Sequence, residues 1–497
     1  MLIDFEYRNQ KLIASYIDEN GKIKLKYLDW THPKKYEICD SFDPYAEKDF
    51  KTWDNKAVKL IDTMRPGKYP TYEYLDALPA EEQTKIFGYQ MPDMYFLDIE
   101  TEIVDGFPDP VQAKTKILSI AIVNNEQILA MGLKPLSDEE IQKIENDTNV
   151  YFKKFGKNYK FKYKLYDSEY NMMRDFMYLY VPKMAVLTGW NFVSYDWQYI
   201  INRCKNYLNI DVTKTSFTGK MDEQFETGIL FPKHRVIVDY MEIYKKWDTS
   251  IKVKESASLD FVSEKLLELN KINYTGSLKS LYKDDFVKFI YYNVVDTALV
   301  QLIHEQKKYI NVMLGIAEMA KIRMVDSYST INVTEGVLRN PMRSERGIVL
   351  VKDYRGQQNF GKGSFMQAKL ADKAPEKIKG GWVKIPALGM HAWVGIFDFA
   401  SLYPTTMREF FLAPESYKGI LDPDDPTICI FNGLKQDVEE DDFVSVNDTV
   451  FKIGPSVTVQ VLTNIYNDRK KFKKLMMKSK EEMKSLEREL AELETTL

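Results

Sequence analysis

Apolar and polar positions change period several times along this chain, and each change predicts an element. Residues 1–93 hold short alternating strands, as in KLIASYIDENGKIKLKYLDW, where Asp18-Glu19-Asn20-Gly21 is a hairpin signal between two runs. From 94 to 311 apolar strands alternate with helical patterns, which predicts an α/β domain. Residues 312–369 read as helix and then loop, ending in the glycine-rich connector GQQNFGKGSF. Its Gly-Lys-Gly is too short for a phosphate loop and lacks the strand–helix context of one. A strand-rich stretch covers 381–455. From Ser456 to Leu497 there is neither Gly nor Pro, and strong helix formers predict one long helix. Over about 460–495 it would reach roughly 50 Å at ~1.5 Å per residue. Ile465, Phe472, Met476, Met483, Leu486, Leu490 and Leu493 follow steps of seven, four and three, an apolar seam that needs a covering surface. A homodimeric coiled coil would also fit the charge pattern of EEMKSLERELAELE.

Composition narrows the class. The 497 residues are long enough for several domains with their own cores. Cys39, Cys204 and Cys429 are too far apart for metal-ligand spacing and read as buried free thiols in a reducing interior. No apolar stretch approaches the roughly 20 residues of a membrane span. The start, MLIDFEYRNQ, has acids where a signal peptide needs a basic start. A net charge of −4 excludes a chain coated in basic charge, but a basic groove can coexist with an acidic exterior.

The first chemistry lies in MYFLDIETEI. Residues 94–97 are apolar, and Asp98 and Glu100, two apart on one strand, point to the same face. Two acids at the end of an apolar strand repel each other and lose hydration, so something cationic must compensate. A solvated strand end or a lysine partner would suffice for one Asp-x-Glu. In KMAVLTGWNFVSYDWQYIINR, however, an apolar strand leads through Asn191 into a helix carrying Asp196, with Ile200 and Arg203 on its face. DDFVKFIYYNVVDTALVQLIHE is a helix apolar nearly all round, with Asp296 in its middle and Tyr292 one turn earlier. Together the four acids read as a shared site for Mg²⁺ or Mn²⁺, since no His or Cys accompanies them. Two such ions support phosphodiester hydrolysis, and Tyr292 could orient the attacking water.

A second stretch, GIFDFASLYP at 395–404, reads as an apolar strand running into Asp398 and a tight turn ended by Pro404. A strand-end carboxylate for Mg²⁺, a turn exposing N–H groups to phosphate and an aromatic floor make a coherent half-site. A plain strand end with a Pro-terminated turn is the simpler alternative.

In order and spacing, DIE at 98–100, NFVSYD at 191–196 and YNVVD at 292–296 resemble the three exonuclease motifs of family B DNA polymerases. GFPDP at 106–110 and DYMEIYKKW at 239–247 resemble the replicative polymerases of T-even-like bacteriophages. The resemblance implies that Asp98, Glu100, Asp196 and Asp296 bind metal and that Tyr292 assists the water. By the same resemblance Asp398 holds the polymerase metals, two ions per active site. Backbone amides around Ala400, Ser401 and Leu402 face the triphosphate, and Tyr403 excludes a 2′-hydroxyl. Arg469 and Lys473, four apart on the last helix, resemble the cations that hold the triphosphate; a solvated basic face is the alternative. Asn191 and the Lys379-Gly380-Gly381 loop would contact DNA, although Ile378 stands where the family often has Tyr.

The implied architecture is α/β and multidomain. It has a β-rich N-terminal domain (1–93, returning at 312–369), a ribonuclease-H-like 3′→5′ exonuclease domain (94–311), a partial α+β palm (370–455) and a first fingers helix (456–497). The family's later Asp-Thr-Asp motif is absent from the sequence. The expectation is therefore the N-terminal subunit of a split DNA polymerase. Its partners would be primer-template and single-stranded DNA, deoxynucleoside triphosphates, a second polypeptide and a sliding clamp, with no membrane. It would act in the cytoplasm of an infected bacterial host cell. A free-standing exonuclease with a vestigial palm and a non-catalytic replisome adaptor are the rival readings.

Overall fold

A computed structural model describes the chain except residues 65, 105, 225–226, 249–255, 350, 352–383, 432 and 497 and the side chains of 494–496. The connector at 356–365 and the Lys379-Gly380-Gly381 loop therefore lie outside the described residues. The chain forms two compact units, 1–32 with 74–336 and 33–73 with 337–497.

The first unit opens with an antiparallel meander of β1 (Leu2–Arg8), β2 (Lys11–Ile17) and β3 (Ile23–Leu28). The expected hairpin turn closes because the Asp18 carboxylate accepts from the Asn20 and Lys22 amides, at 3.0 and 2.9 Å.

The centre of the unit is a six-stranded mixed sheet. Its strands are β4 (Met94–Thr101), β5 (Ile117–Asn124), β6 (Gln127–Gly132), β7 (Lys160–Leu165), β8 (Val186–Gly189) and β9 (Val236–Asp239), in the order β7-β6-β5-β4-β8-β9. β4, β5 and β6 are antiparallel neighbours, while β8 runs parallel to β4, and β9 to β8. β5 is buried along all but its last residue, which explains an apolar run broken only by Ser119. Gly189 ends β8, where a Cβ would sit 2.3 Å from the Leu97 carbonyl, so only glycine allows this approach. Asn191 follows in the left-handed region, at φ 59°. The chain then enters a π-helical turn, Val193–Trp197, and helix α1, Gln198–Asn206.

Two more helices matter here, α2 (Tyr240–Trp247) and α3 (Phe286–Lys307). α3 packs on β4 and β5, and each fully buried Val, Leu or Ile on it contributes about 1.5–3 kcal/mol. Contrary to the sequence reading, α3 is long and apolar enough to cross a membrane, but 72% of its apolar window is buried inside the protein. It is a core helix. Arg203 on α1 also proves structural. Its guanidinium forks onto Glu169 with two 2.8 Å bonds, and Glu169 accepts from the Ile117 amide at the start of β5.

In the second unit, strand Ala57–Asp62 pairs with both Lys34–Ile38 and Ala46–Lys51. The returning chain joins this sheet edge: the Lys51 amide donates to Gly347 and the Val349 amide to Lys51, at 2.8 and 2.9 Å. The strand expected at 395–398 does not form. No described strand lies beside it to take its backbone hydrogen bonds, and Phe397 is 96% exposed. The strands of the 381–455 stretch instead begin at Tyr417 and build a five-stranded antiparallel sheet.

Helix α4 spans Leu402–Glu409, and α5, Val457–Thr496, is the expected long helix. Glu415 caps the start of α5 by accepting from the Thr458 amide at 2.7 Å. Val457 and Val461 pack on Met342 and Ile348, while the seam from Ile465 to Leu493 is exposed. Of the three cysteines, Cys204 and Cys429 are buried as expected, whereas Cys39 is only half-buried.

Candidate active site

The site is built at the C-terminal half of β4. Strand alternation sets Asp98 and Glu100 on the face that α3 covers, and the Asn293 amide of α3 donates to Asp98 Oδ2 at 2.6 Å. Asp196 comes from the π-helical turn, and its Oδ1 accepts from the Ile99 amide between the two β4 acids, at 3.1 Å. That turn is held by Asp239 at the end of β9, which accepts from the Val193 amide at 3.1 Å and also caps α2. Asp296 and Tyr292 lie one turn apart on α3, as their spacing requires.

Sequence reasoning missed the cation it called for. The Lys271 ammonium hydrogen-bonds to Asp296 and lies 3.2 Å from the Tyr292 hydroxyl. No periodicity marks Lys271, which sits outside any helix or strand, one of many lysines. Asn293 had a legible signal: an amide inside an apolar helix needs a polar partner.

The electrostatics follow from crowding. Burial, then the Asp296 charge, pushes Asp98 up to about 7, although part of its side chain reaches the surface. Burial and the neighbouring acids hold Glu100 and Asp196 well above the usual carboxylate range. Asp296 is also raised by burial, against the pull of Lys271. Burial opposes the charge on Lys271, yet the surrounding carboxylates outweigh it and raise its pKa. Tyr292 is raised by burial and by the same acids, so it stays a phenol and can donate.

The donors are all hard carboxylate oxygens, and Asp296 Oδ1 is buried with no hydrogen-bond partner. Both features fit a hard divalent cation such as Mg²⁺ or Mn²⁺. The set is open, with the Lys271 charge among it. Among the described residues, the acids whose oxygens lie within 4.8 Å of one another are instead Glu439, Asp441 and Asp442 in the second unit.

The second unit holds the other expected residues. Asp398 is exposed, and among the described residues none binds it by hydrogen bond or ion pair. Ala400 and Ser401 form a turn, with Ser401 left-handed at φ 57°, and Leu402 starts α4. Tyr403, in its first turn, is 74% exposed. Arg469 on α5 reaches this turn, its guanidinium donating to the Ser401 hydroxyl at 2.8 Å. Lys473, one turn further along α5, is exposed.

Comparison with known proteins bears directly on these two sites. Residues 71–262 match the exonuclease domain of DNA polymerase family B, and residues 302–491 match DNA polymerase family B itself. The chain belongs to DNA polymerase family B. It is 24% identical to the DNA-directed DNA polymerase of Escherichia phage RB69, over 95% of this chain and 53% of that protein. It is 21% identical to that of Enterobacteria phage T4, over 84% of this chain and 47% of that protein. DNA polymerase II of Escherichia coli is 23% identical over 58% of this chain. The chain spans about half the length of these two phage relatives. Asp98, Glu100 and Asp196 fall in the first family match, and Asp398, Tyr403, Arg469 and Lys473 in the second. Tyr292 and Asp296 lie between the two.

Proposed function

We propose that the chain is a metal-dependent 3′→5′ DNA exonuclease that also carries part of a DNA polymerase site. The observation that carries the first half is the gathering of four hard carboxylates, one of them Asp296 with a buried, unpartnered oxygen, and a phenol and an ammonium beside them. Asp98, Glu100, Asp196 and Asp296 would hold the divalent ions. When bound, those ions supply a water activated at neutral pH and stabilise the leaving oxygen. Tyr292 holds the attacking water by its hydroxyl. Lys271 orients Asp296 and adds positive charge where phosphate oxygens become more negative. The sheet order and mixed strand directions support the ribonuclease-H-like reading of 94–311. The boundaries at 93, 311, 369 and 455 belong to the same proposal. A 3′-labelled single strand incubated with Mn²⁺ should release labelled mononucleotide first, whereas label at the 5′ end should stay on long fragments.

For synthesis, Asp398 would hold metal, the Ala400–Ser401–Leu402 backbone and Arg469 and Lys473 the triphosphate, and Tyr403 the sugar. Asn191 and the Lys379-Gly380-Gly381 loop would contact DNA. This half-site needs further carboxylates, and the Asp-Thr-Asp that the family uses is not in these 497 residues. In the split reading, a second polypeptide supplies it and covers the apolar seam of α5. DNA, deoxynucleoside triphosphates and a sliding clamp are the proposed partners, and the host cytoplasm the proposed place. Purification from the native source, with identification of what accompanies residues 1–497, tests this half: an Asp-Thr-Asp-bearing partner chain supports it. Complete exonuclease with no polymerase-bearing chain, continuous or separate, supports the free-standing enzyme.

A further inference from the structure

β5 pairs with β4 so that Ser119 stands directly opposite Glu100, on the face that carries the acids. Asn293 of α3 comes down onto the same face. The Ser119 hydroxyl donates to Asn293 Oδ1 at 3.0 Å, and Asn293 Nδ2 donates to Asp98 Oδ2 at 2.6 Å. Both residues are completely buried. An amide has two ends of opposite polarity, and a flipped Asn293 would turn its oxygen against a carboxylate. The Asp98 carboxylate, which only accepts, selects the amide nitrogen, and the Ser119 hydroxyl holds the other end of the amide in place.

We propose that Ser119 and Asn293 form a two-residue positioning relay that presents Asp98 to the divalent cation. The proposal rests on the exonuclease reading above. Asn293 occupies one oxygen of Asp98 and limits its rotation, leaving the other to bind metal in one orientation. Outer-shell partners of this kind typically set metal affinity or activity by about 10–100-fold. A purely structural amide in the core would affect folding and leave metal affinity alone.

The test is calorimetric titration of the full chain with Mn²⁺, following the binding component that Asp98→Ala removes, alongside cleavage of single-stranded DNA. Asn293→Ala should weaken that component by about tenfold or more. Ser119→Ala, which removes one oxygen, should shift it in the same direction by less. DNA binding in EDTA and near-ultraviolet circular dichroism should stay as in the parent. A folded Asn293→Ala whose Mn²⁺ affinity stays within about twofold of the parent overturns the relay. If Asn293→Ala does not fold, Ser119→Ala decides: weakened Mn²⁺ binding supports the relay and unchanged binding overturns it. If Asp98→Ala keeps both Mn²⁺ binding and cleavage, the exonuclease reading fails first and takes the relay with it.

Discussion

Lys271 and Asp296 are hydrogen-bonded partners beside Asp98 and Glu100, and Lys271 also reaches the Tyr292 hydroxyl. One side chain thus touches both Tyr292 and Asp296 on α3. Its charge offsets part of the repulsion that burial intensifies.

Lys271→Met should keep the shape of the side chain and remove the charge. Loss of a charge aimed at a developing anion typically costs about 10²–10³ in turnover. We expect a fall of that order in single-stranded DNA hydrolysis, while Mn²⁺ affinity holds or rises because a competing cation is gone. Single-turnover cleavage with a Mn²⁺ titration checks both.

The raised carboxyls give a pH dependence with a definite sign. Asp98 titrates at about 7 and Asp239 at about 6 when folded, against ~4 unfolded. Glu100, Asp196 and Asp296 are shifted the same way. These five acids therefore bind more protons folded than unfolded between about pH 4 and 7, and they outnumber His304, His234 and the Met1 amine, which burial lowers and which act the other way. That contribution is fully present below ~4 and lost as the pH rises through 7. In EDTA the melting midpoint should fall from pH 5.5 to pH 8. Added Mn²⁺ should raise it more at pH 8, where fewer of the acids hold protons, than at pH 5.5.

Much of this site was legible because its signals are local. Asp98 and Glu100 share a strand face, Tyr292 and Asp296 a helix face, and an acid inside the apolar α3 demands a partner. What supplies that partner was not legible, since Lys271 comes from a segment without period, brought in by tertiary packing alone. The Ser119–Asn293 contact depends on strand register, which residue spacing does not fix. The strand expected at 395–398 failed for the opposite reason. Its apolar run has strand character, but a strand also needs a neighbour, and no described strand of this chain lies beside it.

Tyr403 and Asp398 separate the two proposed activities. In an assembly competent for synthesis, Tyr403→Ala should increase ribonucleotide incorporation, since the wall against the 2′-hydroxyl is gone. Asp398→Ala should stop synthesis and leave hydrolysis of single strands at the parent rate. Primer extension with mixed ribo- and deoxynucleotides reads the first, and cleavage of labelled single strands the second.

The α5 seam predicts a dependence on assembly. Leu486 and Leu490 are 63% and 58% exposed and stand one turn apart. Leu486→Asp with Leu490→Asp should weaken the binding that covers the seam, read as a lower mass in light scattering of the native assembly. Exonuclease activity should remain, because the changes lie in the other compact unit.

The central claim is that the β4 acids hold the ions for hydrolysis. The most direct measurement is the cleavage rate of 3′-labelled single-stranded DNA by the Asp98→Ala, Glu100→Ala double variant in saturating Mn²⁺. Losing two ligands of a shared site should lower the rate by about 10³-fold or more, within the range that metal and electrostatic stabilisation contribute. Cleavage at the parent rate by a folded double variant would contradict the assignment of this site.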